Sequence, residues 1–203
     1  MPKRPLPTWA NQLPEFPPPF GSEFPWLARE SMPRSGDGPH PEELRLAAVE
    51  QAVGYSFRDR RLLRCALTST GWVNEHQLWW GGRWPDNKAL EWLGDAVLYR
   101  VVTEHLVASG DAMCTGKSTP NRANLVSNER LAQVGERMGL WDALFLGKGE
   151  RRNNAAKGRP RFLACAVEAV IGAAYLDANA AGDEAGAVAG ELVHRLLLGP
   201  PGE

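Results

Sequence analysis

Apolar residues recur along this chain at three- and four-residue spacings, the period of helices that bury one face. Pro41-Glu42-Glu43 opens the first such stretch, with proline in the first turn and acids at the positive end of the helix dipole. Leu44, Leu46, Ala47, Val49 and Val53 follow, and Gly54 is a stop signal. Residues 60–67 predict a short amphipathic helix. Residues 71–85, with Gly71, Gly81, Gly82, Pro85 and four tryptophans, read as an irregular loop. Residues 87–107 and 162–178 predict long, strongly apolar helices. Residues 120–138 predict another, with Leu125, Val126, Leu131, Ala132 and Val134 at helical spacing. A short helix over 141–146 and a closing one over 186–198 complete the pattern. No stretch alternates as a β-strand does, and there is no internal repeat. The expected architecture is an all-α bundle of about seven helices.

Composition adds a boundary. Residues 1–41 hold 11 of the 16 prolines, so most of that stretch cannot be helix. It lacks the apolar core of a secretory signal, and its acids and Pro17-Pro18-Pro19 argue against a mitochondrial presequence. Trp9, Phe16, Phe20, Phe24 and Trp26 are more than a linker needs. They either drape over the chain's own domain, dock a protein partner, or belong to a disordered segment. The division is then an extension over 1–40, a helical domain over 41–198 and a tail over 199–203. In 203 residues, Lys and Arg total 23 and Asp and Glu 24, for a net charge of −1. A globally basic nucleic-acid-binding chain is excluded, a local basic patch is not. No run of apolar residues is long enough for a membrane span. Three separated cysteines form neither a disulfide framework nor a CxxC clamp, and a reducing, cytoplasmic setting is the expectation.

Two apolar stretches carry acids in costly places. In Leu90-Glu91-Trp92-Leu93-Gly94-Asp95-Ala96-Val97-Leu98, Glu91 and Asp95 are four residues apart and share a helix face, where like charges repel. In the run from Phe162 to Ala174, Glu168 stands alone among apolar and small residues of what should be an interior helix. Such a glutamate wants an arginine such as Arg122, a metal or a proton. Taking the two stretches together, a hard-cation site built from Glu91, Asp95 and Glu168 is the economical account, and oxygen ligands suit Mg²⁺ or Mn²⁺.

These residues resemble a family. Asn-Lys-Ala-Leu-Glu-Trp-Leu-Gly-Asp-Ala-Val-Leu over 87–98 is similar to the ribonuclease III endonuclease signature, Asn-Glu-Arg-Leu-Glu-Phe-Leu-Gly-Asp-x-Val-Leu. Val53-Gly54-Tyr55-Ser56-Phe57-Arg58-Asp59, Ala66-Leu67-Thr68-Ser69, the stretch from Arg122 to Ala132, Leu146-Gly147-Lys148-Gly149-Glu150 and the stretch over 163–173 follow in the family's order. The resemblance implies an all-helical, dimerising domain that hydrolyses double-stranded or structured RNA with Mg²⁺ or Mn²⁺. It implies Glu91, Asp95 and Glu168 as catalytic and metal-binding residues. The family's fourth acid falls where this chain has Cys165, a poor ligand for Mg²⁺. Lys88 and Thr115 stand at two further positions usually acidic. Trp92 occupies the place of a phenylalanine that inserts into the second subunit, so a homodimer or a heteromeric pairing is implied.

The densest basic stretch, Lys148, Arg151, Arg152, Lys157, Arg159 and Arg161, reads as a phosphate-contacting loop for RNA. Gly116-Lys117-Ser118 lacks the spacing and preceding strand of a nucleotide loop, and the four histidines form no metal pattern. The chain is expected to stand alone, without a double-stranded-RNA-binding domain. The leading expectation is a metal-dependent endoribonuclease. The alternative is a catalytically impaired relative that binds RNA or serves as a ribosomal scaffold.

Overall fold

The computed structural model describes residues 41–76, 85–110, 115–153 and 158–199. The extension over 1–40, with its partner-docking reading, lies outside them, as do Trp79, Trp80, Trp84 and Lys157.

The fold is all-helical. Helix α1, Pro41–Val53, buries the stripe Leu46, Val49 and Val53. A turn then leads to α2, Arg60–Ala66, whose N-cap Asp59 accepts from the Arg61 amide. Two buried acids hold this turn. Glu50 accepts from the Phe57 amide (2.9 Å) and from Arg60. Asp177 is 2 % exposed and accepts from the Tyr55 hydroxyl (2.8 Å) and from the Arg58 and Asp59 amides. Both acids are fully satisfied, as burial of a charge demands.

The next element departs from the sequence expectation. Residues 70–76 are helix α3, Thr70–His76, rather than irregular loop. Ser69 caps it, its Oγ accepting from the Trp72 amide (3.1 Å), and Trp72 is buried. Gly71 is no helix breaker here. A Cβ there would strike the Glu150 carboxylate at 2.4 Å, so glycine lets that side chain approach the backbone.

Helix α4, Lys88–Ala108, and helix α9, Arg159–Ala181, are the two long apolar elements. Between them come α5, Thr115–Leu125, α6, Asn128–Arg137, α7, Leu140–Ala143, and α8, Lys148–Asn153. The single helix expected over 120–138 is two. Ser127 adopts extended backbone and caps α6 through the Arg130 amide, a competing local hydrogen bond that periodicity does not register. The helix expected over 141–146 stops at Ala143. Phe145 leaves it to form an isolated bridge with Thr68, donating to Leu67 O and accepting from the Ser69 amide. Helix α10, Ala185–Val193, runs into a widened π turn, His194–Leu198.

Helix α9 is the centre of the molecule, packed by α4 on one side and α6 on another. Leu163, Val167, Val170 and Ile171 are all buried. By length and composition α9 could cross a membrane, but its most apolar window is 72 % buried inside the protein, as a core helix requires. The contact with α4 is backbone on backbone. A Cβ on Gly94 would lie 1.7 Å from Glu168 O, and one on Gly172 would lie 2.3 Å from Leu90 O. No larger residue fits at either place without separating the helices.

This predicts opposite signs for one substitution at two helical glycines. Gly94→Ala should cost about 3 kcal/mol or more through overpacking. Gly190→Ala, where a Cβ meets nothing within 4 Å, should stabilise by about 0.5–1 kcal/mol through helix propensity. Urea unfolding of the two variants checks the pair.

Candidate metal centre

The glycine contact fixes what lies beside it. Glu91 and Asp95 flank Gly94 on α4, and Cys165 and Glu168, three apart on α9, face them across the seam. One carboxylate oxygen each of Glu91 and Glu168 and the Cys165 sulfur all lie within 4.8 Å of one another. Asp95 does not belong to that close trio, although its charge acts on Glu168. The structure therefore brings Glu91 and Glu168 together as a donor pair, sets Asp95 at the edge, and puts Cys165 inside.

The electrostatics follow from crowding like charges in a half-buried seam. Burial, followed by the charges of Asp95 and Glu91, pushes the Glu168 carboxyl up to about 7. Burial and then Glu91 raise Asp95. Burial and then the charge of Glu91 push the Cys165 thiol up to about 11. Among the described residues, the one cation in direct contact is Lys88, whose Nζ donates to Glu91 (2.6 Å). Arg122 is not Glu168's partner: it donates to the Thr103 hydroxyl and lies over the Tyr99 ring. Among the described residues, no hydrogen-bond donor reaches Glu168.

A cavity of about 510 Å³ opens beside the cluster, lined by Ser69, Thr70, Asn87, Lys88, Arg161 and Cys165. Sequence reasoning did not assign Ser69, Thr70 or Asn87 a role. Ser69 and Asn87 sit in motifs read for their resemblance and Thr70 in none, and no pattern in the chain joins them to the acids. Glu150 also borders the cavity and organises its wall, accepting from the Ser69 hydroxyl and from the Gly71 and Gly147 amides.

The basic stretch divides. Residues 148–153 form helix α8 rather than a loop, carrying Lys148, Arg151 and Arg152 with exposed side chains. Arg151 reaches Leu144 O (2.8 Å). Arg159 is turned to the opposite side, paired with Glu136 and set over the Trp141 ring. Of the described members of this set, Arg161 alone lines the cavity. Trp92, next to Glu91, is 83 % exposed and is not a core aromatic.

Two long helices locked at a glycine crossing, with acids facing one another over the seam, define an all-helical domain with a candidate metal centre at its central contact. Residues 59–198 match the ribonuclease-III-like family, and the chain belongs to it. Ribonuclease 3 of Leifsonia xyli subsp. xyli is 40 % identical over 154 residues, 76 % of this chain and 61 % of that protein. Ribonuclease 3 of Oceanobacillus iheyensis is 40 % identical over 129 residues, 64 % of this chain and 55 % of that protein. The matched region thus spans under two thirds of these relatives' length. The nuclease domain of ribonuclease III from Campylobacter jejuni, described for flexibility in a region involved in dimer formation, superposes with a TM-score of 0.61. It is 32 % identical, over 74 % of this chain and 97 % of that one.

A carboxyl raised in the folded state favours folding below its unfolded pKa and withdraws that support as pH rises through its folded value. In chelator-treated protein, the support from Glu168 is therefore fully present below pH 4.5 and is lost as pH rises through about 7. Glu168→Gln should melt higher relative to the parent at pH 8 than at pH 5. The expected gain is about 2–4 °C, the size of shift ~1 kcal/mol produces in a domain of this size after solvent screening. Thermal melts of both proteins at the two pH values read the difference directly.

Proposed function

We propose that this domain is a divalent-metal-dependent endoribonuclease acting on double-stranded or structured RNA as a dimer. The observation that carries the reading is the convergence of Glu91 and Glu168 from two helices, with Asp95 beside them and no arginine neutralising Glu168. Carboxylates crowded against their own repulsion fit a dication, and Glu91, Glu168 and Asp95 are the residues that would hold it or its water. The expected ion, Mg²⁺ or Mn²⁺, would supply positive charge against the scissile phosphate and ease deprotonation of the attacking water.

The chain's own residues account for the rest. Lys88 and Arg161 line the cavity next to the acids and would receive phosphate oxygens, placing the scissile group against the carboxylates. Asp95, outside the close trio, would accept a hydrogen bond from the incoming water. In-line attack then leaves 5′-phosphate and 3′-hydroxyl ends. Lys148, Arg151, Arg152 and Lys157 would track the backbone of the duplex, whose A-form shape is read rather than its sequence. Arg159, spent on Glu136, contributes least. The exposed Trp92 indole supports self-association, since an uncovered aromatic beside the site is costly in a monomer.

One observation favours a second reading. Cys165 stands inside the donor cluster where the family resemblance implies a carboxylate, which suits a relative that binds RNA without cutting it. A labelled RNA duplex incubated with the protein and Mg²⁺ or Mn²⁺ separates the two. Cleavage that falls about 100-fold or more in folded Glu168→Gln is expected of the enzyme. Binding without cleavage, unchanged by Glu168→Gln, would establish the scaffold instead.

A further inference from the structure

The thiol in the donor cluster has chemical consequences of its own. Cys165 is not a buried space-filler of α9: it is only partly buried, it lines the cavity, and its sulfur completes the trio whose ligand atoms are mutually within 4.8 Å, facing the Glu91 carboxylate of the same cluster. The Gly94–Gly172 crossing holds the α9 backbone against α4, which sets the Cys165 position on the seam. By contrast Cys65 is buried elsewhere, its Sγ near Pro85 O and Asp86 O, and has no access to the cluster.

We propose that Cys165 is a metal ligand, and that together with Glu91 and Glu168 it tunes this centre to a thiophilic divalent cation of the Zn²⁺ or Co²⁺ class over Mg²⁺. The inference rests on the metal-centre reading above and departs from it in the ion, ranking a thiophilic dication above Mg²⁺. Mg²⁺ is small and hard, keeps its waters and discriminates against sulfur. Zn²⁺ accepts thiolate and carboxylate in one shell, and soft donors shift selectivity toward it. The pair of glutamates retains enough oxygen character to admit Mn²⁺, so the change is one of preference along the divalent series. Lys88, bonded to Glu91, offsets part of the negative charge that a thiolate adds.

The test titrates Co²⁺ into the full, metal-free chain under a phosphine reductant and reads the thiolate-to-cobalt charge-transfer absorption in the near ultraviolet. The band should saturate at one equivalent. It should vanish in Cys165→Ser and Cys165→Asp, and persist in Cys114→Ser, which removes the cysteine outside the described residues. Stoichiometric Zn²⁺ should abolish it, whereas about 100-fold excess Mg²⁺ should not. Cys165→Asp should gain about tenfold in Mg²⁺ affinity by calorimetry, since it exchanges sulfur for oxygen. Circular dichroism confirms that each variant is folded, with Cys165→Ala standing in for one that is not. Co²⁺ binding without the band, or displacement by Mg²⁺, would overturn the proposal and leave the metal centre intact. If no divalent ion binds the parent or Cys165→Asp, the metal-centre reading falls with it.

Discussion

The architecture depends on one steric fact: α4 and α9 touch through their backbones at Gly94 and Gly172. Everything that makes the site chemically interesting follows from that approach. Residues within two turns of the glycines on either helix are brought close together, and Glu91, Asp95, Cys165 and Glu168 are such residues. A side chain at either glycine would push the helices apart and scatter the donors. The glycines give up helix propensity, which is unfavourable by about 0.5–1 kcal/mol each, and the apolar burial of α9 against α4 and α6 offsets it.

The contrast among the half-buried and buried acids is informative. Asp177 and Glu50 are structural, and each has the donors its charge requires: backbone amides, a tyrosine hydroxyl and an arginine. Glu168 has none among the described residues and is pushed toward its neutral form by burial and by the acids opposite. The same residue class in the same helix therefore serves two ends, Asp177 as a clamp on the 54–59 turn and Glu168 as a group waiting for a cation. A fold can tolerate such a group when the surrounding core supplies the stability, which the apolar faces of α9 do.

Much of this was legible in the chain. The two long apolar helices, the all-α class and the acids set against the grain of those helices follow from periodicity and composition, and the collinear motifs carry the family. What escaped was non-local. Asp177 drew no reading, because the turn it clamps lies over a hundred residues earlier. The helix at 70–76 was hidden by Gly71, whose role is to admit Glu150. The break at Ser127 was hidden by a side-chain cap that competes with helix continuation. The basic stretch read as one loop, yet α8 and the N-terminus of α9 turn its members in different directions, and Arg159 answers to Glu136. Cys165 was read as a vacancy in the acid set, whereas the structure places its sulfur among the donors.

The central claim is that one divalent cation sits in the seam between α4 and α9. Crystals of the full chain soaked in Mn²⁺ and measured for anomalous scattering test it most directly. The account predicts a single strong peak per chain, bounded by Glu91 and Glu168. A map with no peak in the seam, or with manganese held elsewhere while Glu168 stays unoccupied, would contradict it.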